Sequence, residues 1–101
     1  MTESEFKDLV IGVAKRYGWP AMNRRGAWAT HIQGDAGFPD LLLIHPTGAK
    51  ILAIELKSEK GKTSPLQKRW LMAFEQAGVY SAVWKPSDME YVLYMLSNPH
   101  Q

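Results

Sequence analysis

Two acidic side chains and one lysine near the middle of the chain have the types and spacing to act on a phosphate. They lie in Gly37 to Lys57, GFPDLLLIHPTGAKILAIELK, where two aliphatic runs flank a Pro/Gly turn and Asp40, Glu55 and Lys57 fall at one end. Leu41 to Ile44 and Ile51 to Leu56 have the length and composition of buried strands. Pro46 cannot donate to a ladder and belongs in the turn between them. Folding back about Thr47 and Gly48 pairs Ile44 with Ile51 and, carried to the end of the hairpin, Asp40 with Glu55. Opposed side chains on an antiparallel pair have Cβ atoms about 4.5–5.5 Å apart, so the two carboxylates repel unless something positive sits between them. Alternation sends Glu55 and Lys57 to one face with Ile51 and Ala53, and Leu52, Ile54 and Leu56 to the other.

A hard divalent cation suits that arrangement. Mg2+ or Mn2+ takes oxygen ligands, and two converging carboxylates with a backbone carbonyl, here that of Leu56, suffice for a site. Such an ion beside a phosphodiester polarises a phosphoryl oxygen and activates water. Lys57, one strand repeat from Glu55, is placed to position the water or offset charge growing on the phosphate. The plainer alternative is a strand-end salt bridge, since Glu-x-Lys is common and surface pairs are worth little.

The combination of motifs decides against that alternative. Gly37-Phe38-Pro39-Asp40 followed by Glu55-Leu56-Lys57 resembles the PD-(D/E)xK nuclease pattern, and the wider frame resembles its VRR-NUC branch over nearly the whole chain. The shared features are an N-terminal helix with an early Glu, the G-x-P-D segment, the E-L-K strand, a following helix containing Gln, and a short strand after Gly. The resemblance implies a restriction-endonuclease-like α/β fold and metal-dependent DNA cleavage. It casts Asp40 and Glu55 as metal ligands and Lys57 as the catalytic lysine. It also implies a glutamate from the first helix in the metal site, matched better by Glu3 than by Glu5, and a glutamine beside the site, matched by Gln67.

The elements that must position these residues are legible to different degrees. Thr2 to Tyr17 predicts a helix with Phe6, Leu9, Val10, Val13, Ala14 and Tyr17 as its apolar stripe, and Thr2 with Glu5 forms a capping box. Glu3 then either complements the helix dipole or reaches the strand ends. Ala21 to Ala36 is the hardest stretch to read: Met22, Trp28, Thr30 and Ile32 hint at one strand or a bent pair. Arg24 and Arg25 there are candidate phosphate contacts, which position a nucleic acid without reading its sequence. Asn23, His31 and Asp35 carry no assigned role, and His31 and His45 read as surface histidines.

Past Lys57 the chain turns basic, with Lys60, Lys62 and Lys68 as a candidate phosphate track. Ser64 and Pro65 start the next helix, whose buried stripe is Leu66, Trp70, Ala73, Phe74 and Ala77. Gln67 suits both a capping box with Ser64 and a place at the site. Val79 to Trp84 predicts a strand parallel to Ile51–Lys57 through a right-handed helical crossover. Ser87 to Glu90 offers a third capping box before a final helix with Tyr91, Val92, Met95 and Leu96 inward. The whole is one domain, α/β, with a mixed central sheet flanked by helices. The four tryptophans belong mostly to its core, with Trp28 also able to stack on a base.

Composition narrows the class. With 101 residues and 46% hydrophobic side chains the chain can bury one modest core. A net charge of +2 is too mild to predict a nucleic-acid partner by itself. The absence of Cys rules out disulfides, thiolate metal sites and a Cys nucleophile. No apolar run suffices for a membrane span or a secretory signal, which points to a cytoplasmic protein. The expected function is a Mg2+/Mn2+-dependent DNA nuclease with Asp40, Glu55, Lys57, Glu3 and Gln67 at its site, acting as a homodimer on branched or junction DNA. The rivals are a nucleic-acid-binding module that has lost the chemistry, which binds DNA without metal, and an accessory subunit of a larger nuclease complex, which binds DNA weakly alone and a partner protein tightly.

Overall fold

The computed structural model describes residues 1–19, 36–45 and 47–101. The expectations placed on 20–35, namely a strand or bent pair, Arg24, Arg25, Asn23, Trp28, His31 and Asp35, lie outside the described residues, as does Pro46.

Thr2 caps the first helix, α1 (Glu3–Arg16), by the expected reciprocal box: its Oγ1 accepts from Glu5 N–H at 3.1 Å and Glu5 Oε1 accepts from Thr2 N–H at 2.7 Å. That backbone donor holds the Glu5 carboxyl below its ordinary range. Phe6, Val10 and Ala14, spaced four apart, are the buried stripe. Leu9, at the edge of that face, and Tyr17, past the helix end as its C-cap, are exposed although expected beside them.

The hairpin consists of β1 (Leu41–His45) and β2 (Lys50–Leu56), antiparallel, with Ile44 facing Ile51 and Leu41 facing Ile54. One further step of that register brings Asp40 opposite Glu55. Helix α2 (Pro65–Gln76) then carries the chain to β3 (Tyr80–Trp84), which pairs with β2 in parallel, Glu55 beside Val83 and Leu56 beside Trp84. The described sheet is therefore mixed, in the order β1-β2-β3 with β2 central. A 3-10 turn (Pro86–Asp88) leads into α3 (Met89–Ser97).

Leu52, Ile54 and Leu56 on one face of β2 join Phe6, Val10, Ala14, Trp19, Val92 and Leu96 in a single core, so α1 and α3 cover that face. Trp19 locks them together by donating its indole N–H to Leu96 O at 2.9 Å. On the other face α2 packs on β2 and β3, and Phe38 meets Trp70 and Phe74 edge to face at 5.0 and 5.8 Å.

Four expectations need correction. The α2 stripe is only half-buried at Trp70 and Phe74, while Leu66, Ala73 and Ala77 are exposed among the described residues. Tyr91 is exposed rather than inward, its hydroxyl 3.1 Å from that of Tyr80. The third capping box does not form: α3 starts one residue later, with Asp88 at its cap and no side-chain cap bond, while Ser87 gives both its N–H and its hydroxyl to Glu59, at 2.8 and 2.6 Å. His45 is 6% exposed, not a surface residue. It accepts from Gly48 N–H through Nδ1 at 3.0 Å, lies 3.1 Å from Tyr17 O through Nε2, and stacks edge to face on Trp19, so its role is to pin the hairpin turn to the end of α1.

Candidate active site

Glu55 lies on the central strand, where neighbours on both sides exclude water. Burial there would be prohibitive for an ordinary carboxylate without partners; Glu55 is 2% exposed. Its Oε2 accepts from Gln67 Nε2 at 2.8 Å and lies 3.5 Å from Lys57 Nζ. Its Oε1 is buried without a hydrogen-bond partner. Burial first, and the neighbouring Asp40 charge second, push the Glu55 carboxyl up to about 7, against the opposing pull of Lys57.

Asp40 enters from the residue just before β1. Its Oδ2 accepts from Leu56 N–H at 2.9 Å, which fastens the Asp to the strand that carries Glu55. The two carboxylates are therefore neighbours by backbone geometry, as the hairpin register requires. Lys57 follows β2, its own N–H donating to Trp84 O at 3.0 Å, so β3 holds the lysine at the sheet end.

Gln67 performs both of the jobs the sequence left open. Its Oε1 accepts from Ser64 N–H at 2.8 Å, closing the capping box with Ser64 Oγ, while its Nε2 holds Glu55. Capping fixes the amide's orientation, and the fixed amide fixes the carboxylate. Gly37 makes this approach possible. It has φ +87°, and a Cβ there would fall 2.7 Å from the Leu66 backbone carbon and 2.9 Å from Gln67 N. Only glycine lets the segment leading to Asp40 lie this close to the start of α2.

Glu3 is exposed in the first turn of α1. Among the described residues no three His, Asp or Glu side chains gather as a metal cluster, so Glu3 does not join Asp40 and Glu55. Of the proposed phosphate track, Lys62 and Lys68 line one cleft with Lys85, while Lys60 is exposed on the loop outside it. Lys85 and the close approach of Gly61 to Lys57 escaped the sequence reading. A signal for Lys85 existed, because it follows a strand parallel to the one bearing Glu55, and ligands collect at the carboxyl ends of parallel strands.

The donor set suits a hard cation. Two neighbouring carboxylates, one from the residue before β1 and one on β2, the latter with an orphaned buried oxygen and a raised affinity for protons, form a site short of positive charge, which a hard cation such as Mg2+ or Mn2+ would fit with oxygen ligands only. Among the described residues no helix is long and apolar enough to cross a membrane.

The sequence profile of the VRR-NUC domain matches residues 19–87, more than half of the chain. A solved structure of a VRR_NUC domain protein aligns with TM-score 0.65 over 98% of this chain and 90% of that one, at 21% identity. At that identity the likeness concerns the fold: a mixed sheet with helices on both faces. No curated protein matches the chain.

Proposed function

This chain belongs to the VRR-NUC domain family, of nuclease type, and we propose from that premise that it is a Mg2+- or Mn2+-dependent endodeoxyribonuclease hydrolysing phosphodiester bonds. The observation that carries the reading is the buried Glu55 carboxylate, with an unpartnered oxygen, set beside Asp40 and within 3.5 Å of the Lys57 ammonium. A strand-end salt bridge would leave the pair in solvent with no second acid.

Asp40 and Glu55 would hold the cation, with the Leu56 carbonyl as a third oxygen. When bound, the ion polarises the phosphoryl oxygen and lowers the pKa of its water. Lys57 orients the attacking water and offsets the negative charge that grows on the phosphate. Gln67 keeps Glu55 in one rotamer, so that the carboxylate needs no reorganisation during the reaction. Helix α2 meets the site through Gln67 and packs on Phe38 through Trp70 and Phe74.

The domain measures 32 × 30 × 26 Å, which offers little surface for gripping a duplex on both sides. Two copies acting together on branched or junction DNA follow as part of the proposal, with the exposed Tyr91, Leu93 and Tyr94 of α3 as their contact. The test incubates the protein with duplex, single-stranded and four-way-junction DNA in Mg2+, Mn2+ or chelator. Cleavage that needs metal and disappears in Asp40→Asn and Glu55→Gln supports the reading. Metal-independent binding with no cleavage of any of these DNAs overturns it in favour of a binding module.

A further inference from the structure

We infer that the cleft walled by Lys62, Lys68 and Lys85 seats a phosphate of the bound DNA strand other than the one cleaved, and that Lys85 is one of its ligands. The inference rests on the nuclease reading for its ligand and on independent geometry for its place.

The three lysines come from three elements: Lys62 from the loop after β2, Lys68 from near the start of α2, and Lys85 from just past β3. They line a single cleft of about 410 Å³ together with Gly61, Thr63 and Val83. That is within the range of about 300–1,000 Å³ usual for small-ligand sites, with room for a phosphate and its sugar. None of the three lysines forms a salt bridge among the described residues. Two acids of the adjoining segments accept other donors: Glu59 accepts both Ser87 donors, and Asp88 accepts Lys85 N–H at 2.9 Å. Three like charges around one hollow repel each other and attract an anion.

The cleft also adjoins the site. Val83 in its wall stands beside Glu55 in the parallel register, and neighbouring strands lie about 4.8 Å apart. Gly61, in the same wall, lies so close to Lys57 that a Cβ would sit 3.3 Å from the lysine's Cβ and Cδ. One strand can therefore touch Lys57 and the cleft through successive phosphates. A running phosphodiester and a terminal phosphate offer the same oxyanion, and the experiment separates them.

Binding is measured in chelator, where cleavage plays no part, with mixed-sequence duplex and single-stranded oligonucleotides titrated over a range of salt. The Lys68→Ala/Lys85→Ala variant is expected to bind several-fold more weakly than wild type whatever the sequence. Its log K against log salt should be shallower by about 1, the loss of one phosphate contact. Arginine at both positions should restore the slope. A single methylphosphonate, which removes one charge, is then moved along the strand, and ends with and without phosphate are compared. At one position the wild type should lose affinity and the double variant should not; an internal position identifies a running backbone, a terminal one a strand end. Lys62→Ala repeats the measurement from an exposed loop, where folding is not in question. Unchanged affinity and slope in these variants, or equal sensitivity to every methylphosphonate, overturns the inference. Absent cleavage with these binding differences intact instead sinks the nuclease reading and leaves the subsite standing.

Discussion

Replacing Glu55 by glutamine should stabilise the metal-free protein at alkaline pH, although it removes a buried ion pair. The Glu55 carboxyl is raised from its ordinary 4.5 to about 7 in the folded chain. Each unit corresponds to about 1.4 kcal/mol, so keeping Glu55 ionised above pH 7 costs the fold at most about 3.5 kcal/mol. Between 4.5 and about 7 the folded state holds a proton that the unfolded state has released, so stability falls as pH rises through this window and levels off above it. The glutamine side chain would have no charge to desolvate and could donate an amide N–H toward Asp40. In chelator at pH 8 the Glu55→Gln variant should be about 1–3 kcal/mol more stable by urea denaturation, with a thermal midpoint higher by roughly 4–8 °C per kcal/mol. At pH 5, where wild-type Glu55 is largely protonated, the difference should shrink toward zero. Saturating Mg2+ should reverse the order, since an ion at 100 times its Kd adds about 2.7 kcal/mol to the wild type and little to the variant. A variant that is less stable than wild type at pH 8 in chelator, or that gains equally from Mg2+, refutes the argument that this carboxylate is held in want of a cation.

Lys57→Ala should lower DNA cleavage by about 10²–10³-fold, the usual effect of losing one group that stabilises transition-state charge, while stabilisation by Mg2+ persists. Gln67→Glu keeps an acceptor for Ser64 N–H but sets a second carboxylate against Glu55. Helix capping should survive by circular dichroism while metal-free stability at pH 8 falls by about 1–2 kcal/mol. Gly37→Ala places a methyl group against the Leu66 and Gln67 backbone at a positive φ; denaturation should show a loss of about 1–3 kcal/mol, and cleavage should fall more than that loss explains because Asp40 and Gln67 are displaced together.

The hairpin was legible because its two aliphatic runs admit one symmetrical register, and that register alone puts Asp40 opposite Glu55. The caps at Thr2 and Ser64 were legible because a capping box is a local pattern. What stayed hidden depends on distant partners. Gly37 is a turn glycine by sequence, and its contact with the start of α2 exists only after the crossover returns that helix to the sheet. Ser87 reads as a cap, whereas in the fold both its donors go to Glu59, 28 residues earlier. His45 looks like a polar turn residue because nothing local announces Tyr17, Trp19 and Gly48 around it. Lys85 sits alone in the sequence and joins Lys62 and Lys68 only through the parallel pairing of β2 and β3. The same distinction separates Glu55 from an ordinary Glu-x-Lys: the tripeptide is local, whereas burial on the central strand is not.

Direct titration of Mn2+ by electron paramagnetic resonance, on wild type, Asp40→Asn and Glu55→Gln at pH 8, followed by DNA cleavage on the same samples, tests the central claim most closely. The wild type should bind Mn2+ and cleave, and each variant should lose both. An Asp40→Asn protein that binds Mn2+ and cleaves DNA like the wild type would contradict the account.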